Sequence, residues 1–419
     1  VAGTVPRRNW RDCARDVMSV AETSTPRVAK PSNVSNDPND PNDPNDPNDP
    51  NDPNDPNDPN DPNDPNDPND PNDPNDPNEE DLLMAVIRDV MPAFELFQPA
   101  SVIDALSLLD RYGATAWVLA GGLDSFDWLK DRIKRPAVVV DLSGIAELKG
   151  IRPRDGGLEI GAMTTLTEVV QHPTVRERYG ILLEAAEAAA SPQIRNQGTI
   201  GGNVSQDTRC WYYRSGWDCY RAGGNICYAD TPSALNREHA ILDADRCVAV
   251  NPSDTAPALI ALEASMVLQT PAGERVVPAE EYFIGPAVDI RRMTILRPGD
   301  LLTAIRLPAR WAGSQFHFEK IRDRNVWDFA LVSVASAMVT NGGTIERLRL
   351  AVNGVAARPL RLLAVEEAVR GRSRTEETAT LAGNLAVEGA EPLQHNAYKI
   401  PLLRNLVKRA IRPAPRAET

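Results

Sequence analysis

The sequence predicts an α+β chain: a long mixed domain, then a smaller α+β domain, behind a low-complexity tail. Three observations carry this. From about Ala93 onward, helical apolar spacing alternates with short β-branched runs bounded by Gly and Pro. After Phe316 the order changes to strands followed by a run of helices, the signature of a separate α+β unit. Before residue 81, fourteen copies of Asn-Asp-Pro fill residues 36–77. There every third residue lacks an N–H and nothing apolar can be buried, so residues 1–80 read as a disordered tail.

The elements follow in order. Ser101 to Tyr112 reads as an amphipathic helix with Val102, Ile103, Leu106, Leu109 and Tyr112 on one face, Ser101 as cap and Gly113 as stop. A strand at Thr115–Leu119 enters a Gly-Gly turn and a helix at Ser125–Ile133, and Ala137–Leu142 is a β-branched strand. Leu158–Ala162 is a strand, Thr165–Val170 a helix, and Glu184–Ala190 an Ala-rich helix closed by Ser191-Pro192. Residues 193–255 show little periodicity, and loops of that length inside a domain usually serve function. Ala256–Ala264 is a helix and Met266–Gln269 a strand. Strands near Phe316–Ile321, Leu331–Met338 and Ile345–Asn353 precede helices near Leu360–Arg370, Thr375–Val387 and Ala397–Ile411.

Composition narrows the function classes. The net charge of −14 belongs to the repeat. Without its 14 Asp the chain balances 45 acidic against 45 basic groups, and no basic patch suggests nucleic acid. No apolar run approaches the ~20 residues of a membrane span. No apolar segment follows Arg7, Arg8 and Arg11 to make a signal peptide. The four His form no metal-spaced pair, no G-x-S-x-G occurs, and no general acid–base pair stands out. His239 reads as a surface or structural residue, or as a neighbour of the cysteine-bearing segment. That pattern fits an electron relay, where cofactors do the chemistry.

Two glycine-rich turns are the first candidate site. In Ala120-Gly121-Gly122-Leu123-Asp124-Ser125 a strand runs through glycines into a helix start. Such a turn lets backbone N–H groups approach an anion, and the helix end favours negative charge. The second turn, Gly198-Thr199-Ile200-Gly201-Gly202-Asn203, has Arg195 close by. Together they could hold a diphosphate from two sides. Neither matches the dinucleotide or P-loop fingerprints. A third segment puts Ser253 and Asp254 at a helix start, either as a plain N-cap or with Asp254 accepting from a ribose or adenine.

At these residues the sequence resembles the FAD-binding medium subunits of the molybdenum hydroxylases, the xanthine dehydrogenase, aldehyde oxidoreductase and carbon monoxide dehydrogenase group. The matching elements are Ala120-Gly121-Gly122 with Asp124, Gln193-Ile194-Arg195-Asn196 with Thr199 to Asn203, and Ser253-Asp254 with Ala256-Pro257-Ala258. Phe318, Lys320 and Arg322 with Phe329-Ala330, and Asn396-Ala397-Tyr398-Lys399, complete them. The resemblance covers about residues 93–412; Leu123 departs from it where many relatives carry a hydroxyl. It implies a two-lobed FAD-binding domain of the vanillyl-alcohol-oxidase (PCMH) type over residues 93–309, then a C-terminal domain over 314–412. FAD would lie between the lobes and the C-terminal domain, non-covalently held, with Lys320 near the isoalloxazine or diphosphate. The implied partners are a molybdopterin-binding large subunit and a 2Fe–2S small subunit, in a heterotrimer or its dimer. Electrons would pass from them through FAD to a terminal acceptor. The implied compartment is the cytoplasm, or the periplasm if a signal-bearing partner exports the complex. Rival readings are a self-contained flavin oxidase of the same fold and a non-catalytic iron–sulfur scaffold.

The cysteines are the second candidate site. Cys210, Cys219, Cys227 and Cys247 fall inside a segment of about 207–247, with Trp211, Tyr212, Tyr213, Trp217, Tyr220 and Tyr228 among them. Their spacing lacks the tight C-x2-C knuckle of structural zinc sites. Disulfides, zinc, free thiols and four thiolates on a 4Fe–4S cluster all remain open, the aromatics being able to exclude water from a cluster. The resemblance favours the cluster, since some aldehyde oxidoreductase and hydroxybenzoyl-CoA reductase FAD subunits carry a comparable insertion. Cys13 is expected to take no part. Residues 1–80 are expected to be dispensable, with Met84 a plausible natural start.

Overall fold

The computed structural model describes residues 91–412. The tail, Cys13 and the suggested start at Met84 lie outside them.

Three strands, β1 (Glu95–Phe97), β2 (Ala116–Leu119) and β3 (Val138–Asp141), form a parallel sheet in the order β1-β3-β2. The Val102–Tyr112 helix packs on it. Ser101 caps the helix by accepting from the Asp104 N–H, and Gly113 ends it at a φ of 50°. Ala105 and Leu109 are its buried residues, whereas Ile103 is 76% exposed. Ile103 stands about 200° round the helix from Ala105, so it cannot share the inner face as the sequence suggested.

The second lobe is an antiparallel sheet, β4-β5-β8-β6-β7. Its strands are β4 (Ile151–Arg154), β5 (Gly157–Gly161), β6 (Ser265–Thr270), β7 (Gly273–Pro278) and β8 (Leu301–Leu307). Between β5 and β6 run the helices Leu166–Gln171, Pro173–Arg178, Gly180–Glu187, Pro192–Gln197 and Ile200–Val204, then the cysteine segment. Ser191-Pro192 opens a helix, where the sequence reading had it closing one. The Ser191 hydroxyl accepts from the Ile194 N–H, and Pro192 occupies the first turn, where its missing N–H costs nothing.

One carboxylate knits this sheet. Glu159 on β5 pairs in register with Arg152 on β4 and Arg306 on β8. It is 5% exposed and takes hydrogen bonds from Arg152 (3.0 Å), Arg154 (2.8 Å) and Arg306 (2.8 Å). Burial pushes its pKa up, but the hydrogen bonds from Arg306 and Arg152 and the charge of Arg154 outweigh that and hold it low. A depressed carboxylate stabilises the fold above the ordinary Glu range, and that contribution disappears as pH falls through the lowered value. Glu159→Gln should therefore cost about 1–3 kcal/mol at neutral pH, toward the lower end because Arg152 and Arg154 are half exposed. It should also flatten the acid side of the stability profile. Urea unfolding from pH 7 to 4 measures both; parallel profiles for the two proteins would refute the assignment.

The C-terminal region builds the antiparallel sheet β12-β11-β10-β9, from β9 (Gln315–Ile321), β10 (Val332–Asn341), β11 (Thr344–Asn353) and β12 (Leu360–Arg361). Strand alternation serves two cores. Val332, Val334 and Met338 of β10 face the helices Leu363–Val369, Glu376–Leu385 and Lys399–Ile411. Ala335, Ala337 and, from β11, Ala351 join the core of the preceding domain. The C-terminal unit is thus packed into its neighbour through a face of small residues, rather than standing apart.

Candidate functional site

The two glycine turns meet. A Cβ on Gly121 would lie 2.4 Å from the Gln197 carbonyl oxygen, and one on Gly201 would lie 2.7 Å from that of Ala162. Gly122 turns the chain at a φ of 82°. Thr199 accepts from the Gly202 N–H at 3.0 Å and so starts the Ile200–Val204 helix. Between the turns lies a cavity of about 420 Å³. Ala120, Gly121, Gly122, Leu123, Asp124, Ser125, Thr199, Gly201, Gly202, Asn203 and Asp254 all line it.

Three expected residues do not. Ser253 is wholly buried behind the wall, where its hydroxyl donates to Asn203 Oδ1 at 2.7 Å. Arg195 turns away and donates to the Ala189 carbonyl at 2.8 Å. Lys320 sits behind Asp254, its Nζ 2.7 Å from Oδ2, with a second bond to the Ala188 carbonyl. The other oxygen, Asp254 Oδ1, is buried and finds no partner among the described residues. Burial raises the Asp254 pKa and lowers that of Lys320, while each partner's charge opposes its own shift.

Sequence reasoning missed other wall residues. Arg209 lines the cavity, pairs with Asp124 at 2.9 Å and stacks 4.8 Å from the Phe329 ring centre. Behind the wall, Arg214 also reaches Asp124 and lies 3.8 Å over the Trp128 ring. Trp327, at the β9–β10 connection, lines the cavity with a φ of 79° while 60% exposed. No local pattern announces these three; only the fold brings them to the turns.

The cysteine segment begins where the cavity wall ends, with Asp207 and Arg209 on the wall and Cys210 next in the chain. Cys210, Cys219, Cys227 and Cys247 are all free thiols, which removes the disulfide alternative. No three His, Cys, Asp or Glu among the described residues sit at single-ion spacing. Yet Cys210 feels the charges of Cys227 and Cys247, and Cys247 those of Cys219 and Cys227. Backbone N–H groups point at the sulfurs: those of Tyr212 and Tyr213 at Cys210, those of Ala229, Asp230 and Val248 at Cys227, and that of Ala249 at Cys247. Burial nonetheless pushes Cys210 up to about 12 and Cys247, against the charge of Arg221, up to about 11. His239, expected at the surface, in a structural role or beside the cysteines, is buried, and its Nε2 lies 3.3 Å from Cys210 Sγ.

A sequence profile described as the FAD binding domain in molybdopterin dehydrogenase matches residues 92–310, more than half of the chain. The chain belongs to the FAD-binding medium subunits of the molybdenum hydroxylases. A second profile, the CO dehydrogenase flavoprotein C-terminal domain, matches residues 316–414 of this subunit. It is 32% identical to the carbon monoxide dehydrogenase medium chain of Hydrogenophaga pseudoflava over 78% of its own length and 98% of that protein's. It is 33% identical to the aldehyde oxidoreductase FAD-binding subunit PaoB of Escherichia coli, over 68% of this chain and 87% of that one. A solved structure of carbon monoxide dehydrogenase from H. pseudoflava superposes with a TM-score of 0.62 at 32% identity, over 77% of this chain and 97% of that one.

A medium subunit of this family is an FAD-dependent oxidoreductase component, and the cavity fits FAD. Its volume lies within the roughly 300–1,000 Å³ of small-molecule sites. The glycines at its neck leave no side chain between backbone and ligand. Asp254 Oδ1 supplies a buried acceptor awaiting a donor. Among the described residues no helix is long and apolar enough to cross a membrane.

Proposed function

We propose that this chain is the electron-relay subunit of a multisubunit molybdenum-dependent hydroxylase or dehydrogenase, with one non-covalently held FAD and one 4Fe–4S cluster. The observation that carries it is the meeting of the two glycine turns over one cavity, beside four clustered free thiols. FAD, when bound, supplies the electron exchange between the molybdopterin and 2Fe–2S partner subunits and a terminal acceptor.

This chain's residues bind and orient. Gly121, Gly122, Gly201 and Gly202 give the diphosphate a close backbone approach, with Thr199 and Ser125 as hydroxyl donors beside it. Asp254 accepts from a flavin or ribityl donor, and Lys320 holds that carboxylate in place. Trp327 and Phe329 cover the cavity against water. Cys210, Cys219, Cys227 and Cys247 ligate the cluster, each backbone N–H at a sulfur stabilising thiolate over thiol. Thiols that interact without single-ion spacing suit a multinuclear cluster better than zinc. The purified chain should release free FAD on acid precipitation and contain about four iron and four labile sulfide per chain. Flavin left in the precipitate would refute the non-covalent mode, and zinc without sulfide would refute the cluster.

A further inference from the structure

We propose that Arg221 and Lys399 are charge-compensating residues of the cysteine site, which raise the reduction potential of its cluster by stabilising the reduced form. The inference rests on the cluster reading above.

Both cations are buried where a cation alone is costly to hold. Arg221 lies between Cys219 and Cys227 in the chain, its side chain 3% exposed. One Nη group donates to Asp207 and the other to the Ile290 carbonyl at 2.7 Å. Asp207 is already shared with Lys134, so it does not neutralise both. Arg221 Nε is buried with no partner, and the guanidinium acts on Cys247.

Lys399 is wholly buried in the last helix. Its Nζ donates to two carbonyls, Glu238 at 2.8 Å and Gly354 at 2.7 Å, and no carboxylate bonds it. Burial, joined by the charge of Arg237 and opposed by that of Glu238, draws it down to about 7. Its anchor, Glu238, precedes His239, the residue against Cys210. The same segment is gripped along its length. Tyr398 donates to the Arg237 carbonyl, Lys399 to that of Glu238, and Asn396 to those of His239 and Ala240. A lysine whose charge served no purpose could be replaced by an apolar chain of similar length at a gain in stability. Two buried cations, one between two of the thiols in the chain and one holding the loop whose His239 touches Cys210, make sense around an anion.

A cubane on four thiolates is such an anion. Taking up one electron adds one negative charge, with no bond broken and no proton moved. Nearby cations therefore stabilise the reduced form more than the oxidised one, and their removal lowers the potential.

The test is a dye-mediated titration with dithionite on the full flavin-loaded chain, following the reduced cluster by electron paramagnetic resonance. Arg221→Gln and Lys399→Met should move the midpoint negative, while Arg221→Lys and Lys399→Arg should leave it near wild type. Full cluster loading with unmoved midpoints in Gln and Met overturns the proposal. If cluster is lost in the charge-removing variants but kept in the charge-keeping ones, charge is required and the proposal stands. Loss in both kinds assigns the positions to shape alone and overturns it. Absence of labile sulfide from the wild type is a separate result, which sinks the cluster reading itself.

Discussion

Lys320→Met is expected to destabilise the folded chain by about 3–5 kcal/mol, the cost of leaving one member of a buried ion pair uncompensated. Lys320 and Asp254 have side-chain exposures of 2% and 6% and stand 2.7 Å apart. Once the ammonium is gone, burial is opposed only by the charge of Arg322 and raises the Asp254 pKa further. A carboxyl raised above its unfolded value stabilises the fold below the ordinary Asp range and loses that contribution as pH rises through the raised value. The variant should thus be most stable in acid and weaken toward neutrality, opposite to the trend that Glu159 imposes. Lys320→Met with Asp254→Asn should recover part of the loss, since no buried charge remains. Flavin binding should recover less than stability, because a neutral amide is a weaker acceptor than a carboxylate at a residue that lines the cavity. Denaturant midpoints and flavin content across the double-mutant cycle measure this; additive losses would show that the two residues do not act as a pair.

Gly121→Ala is expected to abolish flavin loading. A single methyl here meets backbone, the Gln197 carbonyl at 2.4 Å and Gly198 Cα at 3.1 Å, and neither can swing aside as a side-chain tip would. The two turns must part, which opens the cavity neck. Gly202→Ala is the milder comparison, since its methyl meets the Thr199 hydroxyl at 2.9 Å. The absorbance ratio of flavin to protein reads the outcome. Wild-type loading in Gly121→Ala would mean that the turns do not need their contact.

Much of this architecture is legible in the chain. The Val102–Tyr112 helix shows its cap, its stop and most of its inner face. The C-terminal helices show clear periods because each packs on one core, whereas β10, which serves two, shows as an apolar run. The glycine turns are visible because glycine serves where backbone meets backbone. What was not legible has physical causes. β8 is buried on both faces, and its neighbour β6 shifts register between Val267 and Leu268, so no alternation survives. β4 carries Pro153, which an edge strand tolerates but a sequence reading takes as a break. The helices Pro192–Gln197 and Ile200–Val204 are too short to show a period, so residues 193–255 read as loop. At the site, the resemblance put Lys320 near the isoalloxazine or diphosphate and the second turn put Arg195 beside a diphosphate; in the structure Lys320 pairs with Asp254 and Arg195 binds a backbone carbonyl.

The grip of Asn396, Tyr398 and Lys399 on four successive carbonyls has a consequence for how the protein is made. Residues 237–240 leave the ribosome some 160 residues before the side chains that hold them. During synthesis the loop beside Cys210 is therefore unfastened, and it closes only when the last helix docks. On the cluster reading proposed above, this order makes loading of the four thiols a post-translational event. A nascent chain stalled before Asn396 should leave its cysteines open to alkylation, which the finished subunit resists.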